Sequence, residues 1–266
     1  MKKTIVVVLA VVLSLALAET RSVTVSVDKQ TDRPVPVSID LLTLRDDIGA
    51  EFALNWDSLR VLVDGEEVPY QIDDVDLNER VSAGDELSFL ASGPAEIQVS
   101  DEAASAPSFD AALSVSEGET TVILGEEGFT VEVPASGLAR IVGFAGTNAL
   151  LADELGVLRF SGYPESTWWA NEQLGPHEEY TTLEAGGMRH ARTEILPAGP
   201  VRVTVISDYS SDRFVGLDQR VTTRIYATGD VEVTNEVSFR GYLDMMKVQH
   251  MVTRVLSQAD PDTMHL

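Results

Sequence analysis

Val231-Glu232-Val233-Thr234-Asn235-Glu236-Val237 decides the fold class of this chain. Apolar and polar residues trade places along it at every second position. Successive side chains of a strand point to opposite faces, so this period places one face on a core and the other in water. That is the pattern of an antiparallel sheet. The same alternation runs through Ser22-Val23-Thr24-Val25-Ser26-Val27, Thr130-Val131-Glu132-Val133 and Val201-Arg202-Val203-Thr204-Val205. Gly, Pro, Asp and Asn punctuate the intervals, as turns require. Helical spacing is scarce. Two stretches are read as short helices, Asp40 to Ala50 and Ala145 to Leu158. The expected class is all-β.

Working outward from the strands, Val61-Leu62-Val63 and Val68-Pro69-Tyr70-Gln71-Ile72 flank Asp64-Gly65, a tight-turn signal for a hairpin. Pro69 has no N–H for a ladder, which places the second strand at an edge or a bulge. Polar, small and Pro-containing sequence from Ser100 to Pro107 reads as a linker. The expected organisation is a small N-terminal β domain over residues 19–100, a linker over 101–112, an antiparallel β-sandwich over 113–256 and a tail over 257–266.

The first eighteen residues have another purpose. Lys2 and Lys3 precede an apolar run from Ile5 to Leu13, and Ala16-Leu17-Ala18 offers a small-x-small cleavage site before Glu19. This order is that of a secretory signal peptide, and the run is short of the roughly 20 residues of a spanning helix. A secreted or periplasmic protein is expected, with no membrane insertion after cleavage. The chain has no cysteine, which excludes disulfides, thiol chemistry and cysteine-bound zinc. Lysine and arginine total 19 against 43 aspartates and glutamates, for a formal net charge of −24. Such a surface repels nucleic acid and anionic lipid and favours divalent cations. Phosphate-cradle, nucleophile-elbow and helical zinc-ligand patterns are absent from the sequence.

The sharpest local motif is Asp74-Val75-Asp76-Leu77-Asn78-Glu79-Arg80-Val81-Ser82-Ala83-Gly84-Asp85. Asp74, Asp76, Asn78, Ser82 and Asp85 put oxygen side chains at positions 1, 3, 5, 9 and 12 of a twelve-residue loop, with the Arg80 carbonyl at position 7. That is the spacing by which a loop wraps calcium. Two departures stand out: Glu79 at position 6, where a sharp turn wants glycine, and Asp85 where a longer glutamate is usual. The flanks read as strands. The competing reading is a solvated acidic turn.

A second constellation runs from Tyr163 to Arg192. Tyr163, Trp168, Trp169 and Asn171 could form a sugar-binding platform, since aromatic faces stack on sugar rings beside a few polar groups. His177 or His190 could act as general base, with Tyr163 or Tyr180 as acid, and Arg192 or Asn171 could neutralise a uronate carboxylate. The competing reading places the tryptophans in the core and the histidines on loops.

Arg60 to Asp74, leading to Gly84-Asp85-Glu86-Leu87-Ser88-Phe89-Leu90, resembles the N-terminal β domain of secreted bacterial proteins associated with pectin and rhamnogalacturonan breakdown. Ala198 to Val203 and Arg220 to Ala227 look like strands of the galactose-mutarotase-like β-sandwich that follows it in those proteins. The resemblance implies a two-domain all-β architecture and a carbohydrate context; it transfers no catalytic set. The expected function is carbohydrate handling, as binding or lyase-like cleavage of an acidic polysaccharide. The alternative is a non-catalytic envelope or interaction protein stabilised by calcium.

Overall fold

The structure, a computed structural model, describes residues 19–27, 33–49, 54–82, 84–102, 104–144, 146–162, 178–180, 188–212, 216–239 and 246–255. The expected signal peptide, Tyr163, Trp168, Trp169, Asn171, His177 and the tail lie outside them. Among the described residues the chain forms four antiparallel sheets and a single α-helix, so the all-β class holds. No helix among them is long and apolar enough to cross a membrane.

The N-terminal part packs two sheets. One has the order β1 (Thr20–Val25), β7 (Ala95–Ser100), β3 (Asn55–Val63), β4 (Glu66–Glu67). The other has β2 (Val35–Asp40), β6 (Glu86–Ala91) and β5 (Tyr70–Asp73). Alternate residues meet between them: Leu59, Val61 and Val63 of β3, Leu87, Phe89 and Ala91 of β6, and Ala95, Ile97 and Val99 of β7 are all buried. The expected helix after Asp40 is α1 (Leu41–Ile48), with Leu41, Leu44 and Ile48 on its buried face. Asp40 caps it, its carboxylate accepting from Thr43 N at 2.8 Å.

The Asp64-Gly65 turn forms with φ of 53° and 83°, as a primed hairpin turn requires. The expected second hairpin strand, Val68 to Ile72, is a misreading: it does not run as a strand against Val61–Val63. β4 pairs with β3 for only two residues, and after Pro69 the chain leaves that sheet and runs as β5 in the other.

The C-terminal part is a sandwich of two further sheets. One runs β13 (Glu178–Tyr180), β12 (Thr147–Gly162), β11 (Arg140–Phe144), β10 (Thr130–Pro134), β9 (Thr120–Leu124), β8 (Ser114–Ser116), with β18 (Met246–Val255) also on β12. The other is the meander β14 (Met188–Ile195), β15 (Arg202–Ser211), β16 (Leu217–Tyr226), β17 (Val231–Phe239). Ile123, Val131 and Val133 from the first meet Val203, Val205 and Ile225 from the second.

A helical expectation is overturned as well. The stretch from Ala145 to Leu158 is not helical; it lies almost wholly in β12, which pairs with β11 and then β18. Pairing with those strands overrides the local spacing, and β12 accommodates it with breaks. Glu154 and Gly156 have positive φ of 46° and 97°, and the register with β18 shifts between Asp153 and Val157. An irregularity of this kind moves later side chains out of simple alternation.

Candidate cation site and the junction beside it

The loop from Asp74 to Asp85 joins β5 to β6. Asp73 and Glu86, the residues on either side of it, are direct register partners across the two strands. The loop is therefore closed by two acids facing each other, an arrangement that is unfavourable when left alone.

Inside the loop three carboxylates converge. Asp74, Asp76 and Asp85 each bring one oxygen within 4.8 Å of the other two. Oxygens sharing one calcium lie at most about 5 Å apart, given Ca–O distances of roughly 2.3–2.6 Å. Asp85 is fully buried, and its Oδ1 has no hydrogen-bond partner. Its Oδ2 accepts from Ser82 N at 2.7 Å. A buried carboxylate oxygen without a donor is costly, and a cation is one way to satisfy it. Burial pushes the Asp85 carboxyl above its ordinary range, the Ser82 N–H works against this, and the nearby charges of Asp76 and Asp74 push it further up.

The rest of the loop orients these groups. Asp74 accepts from Asn78 N at 3.0 Å and Glu79 N at 2.7 Å. Burial works against the Asp74 charge, but these N–H groups and the other hydrogen bonds of the loop together prevail and hold its carboxyl below the usual range. Asp76 Oδ2 accepts from Asn78 Nδ2 at 2.8 Å and from Ser82 Oγ at 3.0 Å. Asn78 Oδ1 accepts from Arg80 N at 3.0 Å, so its amide nitrogen faces the carboxylates. Gly84 leaves room for Asp76: a Cβ there would stand 2.5 Å from Asp76 Oδ2. Glu79, where a glycine was expected, takes the left-handed conformation itself, with φ of 64°. Leu77 does the same at 61°. The bond from Glu79 N to Asp74 helps hold that strained turn.

Immediately outside the loop the acids are closed by arginine. Arg202, fully buried at the start of β15, donates from Nε to Asp73 Oδ2 at 2.7 Å and from Nη2 to Glu86 Oε2 at 2.9 Å. Its Nη1 reaches Ser38 Oγ at 2.7 Å and the Tyr226 hydroxyl at 3.1 Å. Thr204 Oγ1 donates to Asp73 Oδ2 at 2.6 Å. Arg224 grips Glu86 with both Nε and Nη2. Burial opposes the charge on Glu86, but these arginines prevail and lower its carboxyl below the ordinary range. Burial likewise works against the Arg202 charge, but Asp73, Tyr226 and Glu86 together outweigh it, so the guanidinium stays firmly protonated. Gln71 completes the seam. Its Nε2 donates to Asp73 at 2.6 Å, and its Oε1 accepts from Val201 N and Arg202 N, both at 3.0 Å.

This seam joins the two halves of the molecule. Along β15, Val203 and Val205 face the sandwich core, while Arg202 and Thr204 face β5 and β6. The alternation of Val201 to Val205 is legible in the sequence. That its polar face is also covered is not, because the covering strands lie over a hundred residues away.

Of the residues expected in the sugar site, His190 and Arg192 lie on β14 among the described residues. His190 Nε2 is 2.9 Å from Thr193 Oγ1, and its ring packs edge-on to Tyr209 with centroids 5.7 Å apart. Arg192 donates to Asp208 at 2.9 Å, and Arg189 is paired with Asp212. Tyr180 is in β13, opposite Phe160 of β12. A cleft of about 660 Å³ runs between the cation loop and β14, with Asp74, Leu77 and Glu79 on one wall and Arg192, Glu194 and Pro197 on the other. In comparisons with known proteins, no family model and no curated protein matches the chain.

Proposed function

We propose that this protein is an exported, non-catalytic β-sheet binding or interaction protein that holds a divalent cation in the loop from Asp74 to Asp85. The observation that carries this reading is the convergence of Asp74, Asp76 and Asp85 around a fully buried carboxylate whose Oδ1 has no donor. The ligand set is all oxygen, with neither histidine nor cysteine in the cluster, which suits a hard cation. An irregular loop of carboxylates suits calcium, which tolerates varied oxygen geometry, better than magnesium, which demands a near-ideal small octahedron.

The test is direct. Calorimetric titration of the chelator-treated protein with calcium should give one saturable site, with magnesium much weaker. The melting temperature should rise with calcium, and Asp74→Ala with Asp76→Ala should abolish the rise. At free calcium 100 times Kd the gain is about 2.7 kcal/mol. A calcium response that persists in the double variant would place the site elsewhere.

Carbohydrate handling is the second reading, and the cleft beside the loop is what favours it. Arg192 on one wall is the group suited to a uronate, although Asp208 already occupies it. Oligogalacturonide titration with and without calcium tests this, together with tryptophan fluorescence of Trp168→Ala and Trp169→Ala. Unchanged binding in a folded double tryptophan variant would remove those rings from the site.

A further inference from the structure

We infer that the cation loop and the seam between the two halves act as one device: cation binding among Asp74, Asp76 and Asp85 tightens the docking of β5 and β6 on β15 and β16. The inference rests on the cation reading above and adds a consequence to it.

The coupling is built into the covalent order. Asp74 follows Asp73 directly, and Asp85 precedes Glu86 directly. Asp73 and Glu86 are the two carboxylates held by Arg202, a residue of the other half. Any movement that spreads the loop ends therefore spreads the pair that Arg202 grips. Conversely, undocking of Arg202 leaves Asp73 and Glu86 facing each other across the strands without a counter-charge from it. Their repulsion then opens the base of the loop and separates Asp74 from Asp85.

Charge accounting points the same way. Within the seam, Asp73 and Glu86 are held by Arg202 and Arg224, and Arg224 also lies 3.6 Å from Glu232. Within the loop, Asp74, Asp76 and Asp85 have no bonded lysine or arginine among the described residues, so three negative charges crowd one end of the hairpin. Their mutual repulsion strains the closed form, and a divalent cation relieves it. Since the seam arginines are already neutralised, they do not oppose the cation. Coupling of this kind is reciprocal: what the cation does for docking, docking does for cation affinity.

Two backbone groups report docking directly. Val201 N–H and Arg202 N–H donate across the seam to Gln71 Oε1. Their hydrogen exchange follows opening of the seam, and amides of β16 and β17 away from it, such as Val221 and Val233, serve as the internal reference. With calcium at 100 times Kd, exchange at 201 and 202 should slow by up to about 100-fold, the reference amides should change little, and Asp76→Asn should lose the effect. As the reciprocal arm, Thr204→Val removes a donor to Asp73 from the far half without touching the loop. It should weaken calcium affinity about threefold or more by titration. Calcium binding with unchanged exchange at 201 and 202, and unchanged affinity in Thr204→Val, would overturn the coupling while leaving the cation site standing. Absence of calcium binding by titration would overturn both.

Discussion

Asp73 and Asp74 are chain neighbours, as are Asp85 and Glu86, yet each pair is divided between two electrostatic settings. The outer acids meet arginines from a distant part of the chain: Arg202 on both, Arg224 on Glu86. The inner acids meet one another and backbone N–H groups. The seam is an ionic network in which an arginine reaches every acid, Glu232 included, whereas no lysine or arginine bonds the three loop acids among the described residues. The comparison teaches that an acidic run has no single meaning. What matters is whether tertiary structure delivers a cation to each carboxylate, and one peptide bond is enough to change the answer.

Removing Arg202 would give the seam the character of the loop. Arg202→Met leaves Asp73 buried and Glu86 opposed to it, and should destabilise the protein by about 3–5 kcal/mol in urea unfolding. Adding Asp73→Asn should recover part of that loss, because the abandoned charge is gone. A loss below about 1 kcal/mol in the single variant would mean that the seam contributes little.

Gly199 gives the next largest effect. A Cβ there would clash with Gln71 Oε1, and Gln71 is fixed by Val201 N, Arg202 N and Asp73. It has no free direction in which to yield. Gly199→Ala should cost about 1–3 kcal/mol by overpacking, and should speed exchange at Val201 and Arg202.

A smaller effect is expected at an ion pair nearer the surface. Asp208 is partly buried, which works against its charge, but bonds from Arg220 and Arg192 prevail and lower its carboxyl below the ordinary range. A carboxyl lowered on folding contributes stability that is present above its unfolded value of about 3.9 and is lost as pH falls through the lower folded value. Asp208→Asn should therefore remove about 0.2–1 kcal/mol at neutral pH and flatten the acid limb of the stability curve below about pH 4. An unchanged acid limb would show that the arginines contribute nothing there.

The smallest effect lies in the loop itself. Glu79 pays the left-handed penalty that a glycine avoids, while glycine gains freedom in the unfolded chain. Glu79→Gly should be a net gain of about 0.5 kcal/mol by thermal melting, with calcium binding retained. A loss of stability would mean that the Glu79 side chain contributes to the loop.

The strand period, the Asp64-Gly65 turn, the helix start at Asp40 and the acid spacing from Asp74 to Asp85 were determined by the sequence alone. Each depends on residues within a few positions of one another, where local geometry and turn chemistry suffice. The helical reading from Ala145 to Leu158 failed for the complementary reason: pairing with β11 and β18, the latter about a hundred residues on, overrode local spacing. Only the tertiary structure decided that Arg202 and Thr204 face a second sheet rather than water, that Pro69 carries the chain from one sheet to another, and that Asp85 is buried while Asp76 is exposed. Burial and counter-charge are properties of what arrives from elsewhere in the chain, and alternation in one strand carries no record of what covers its polar face.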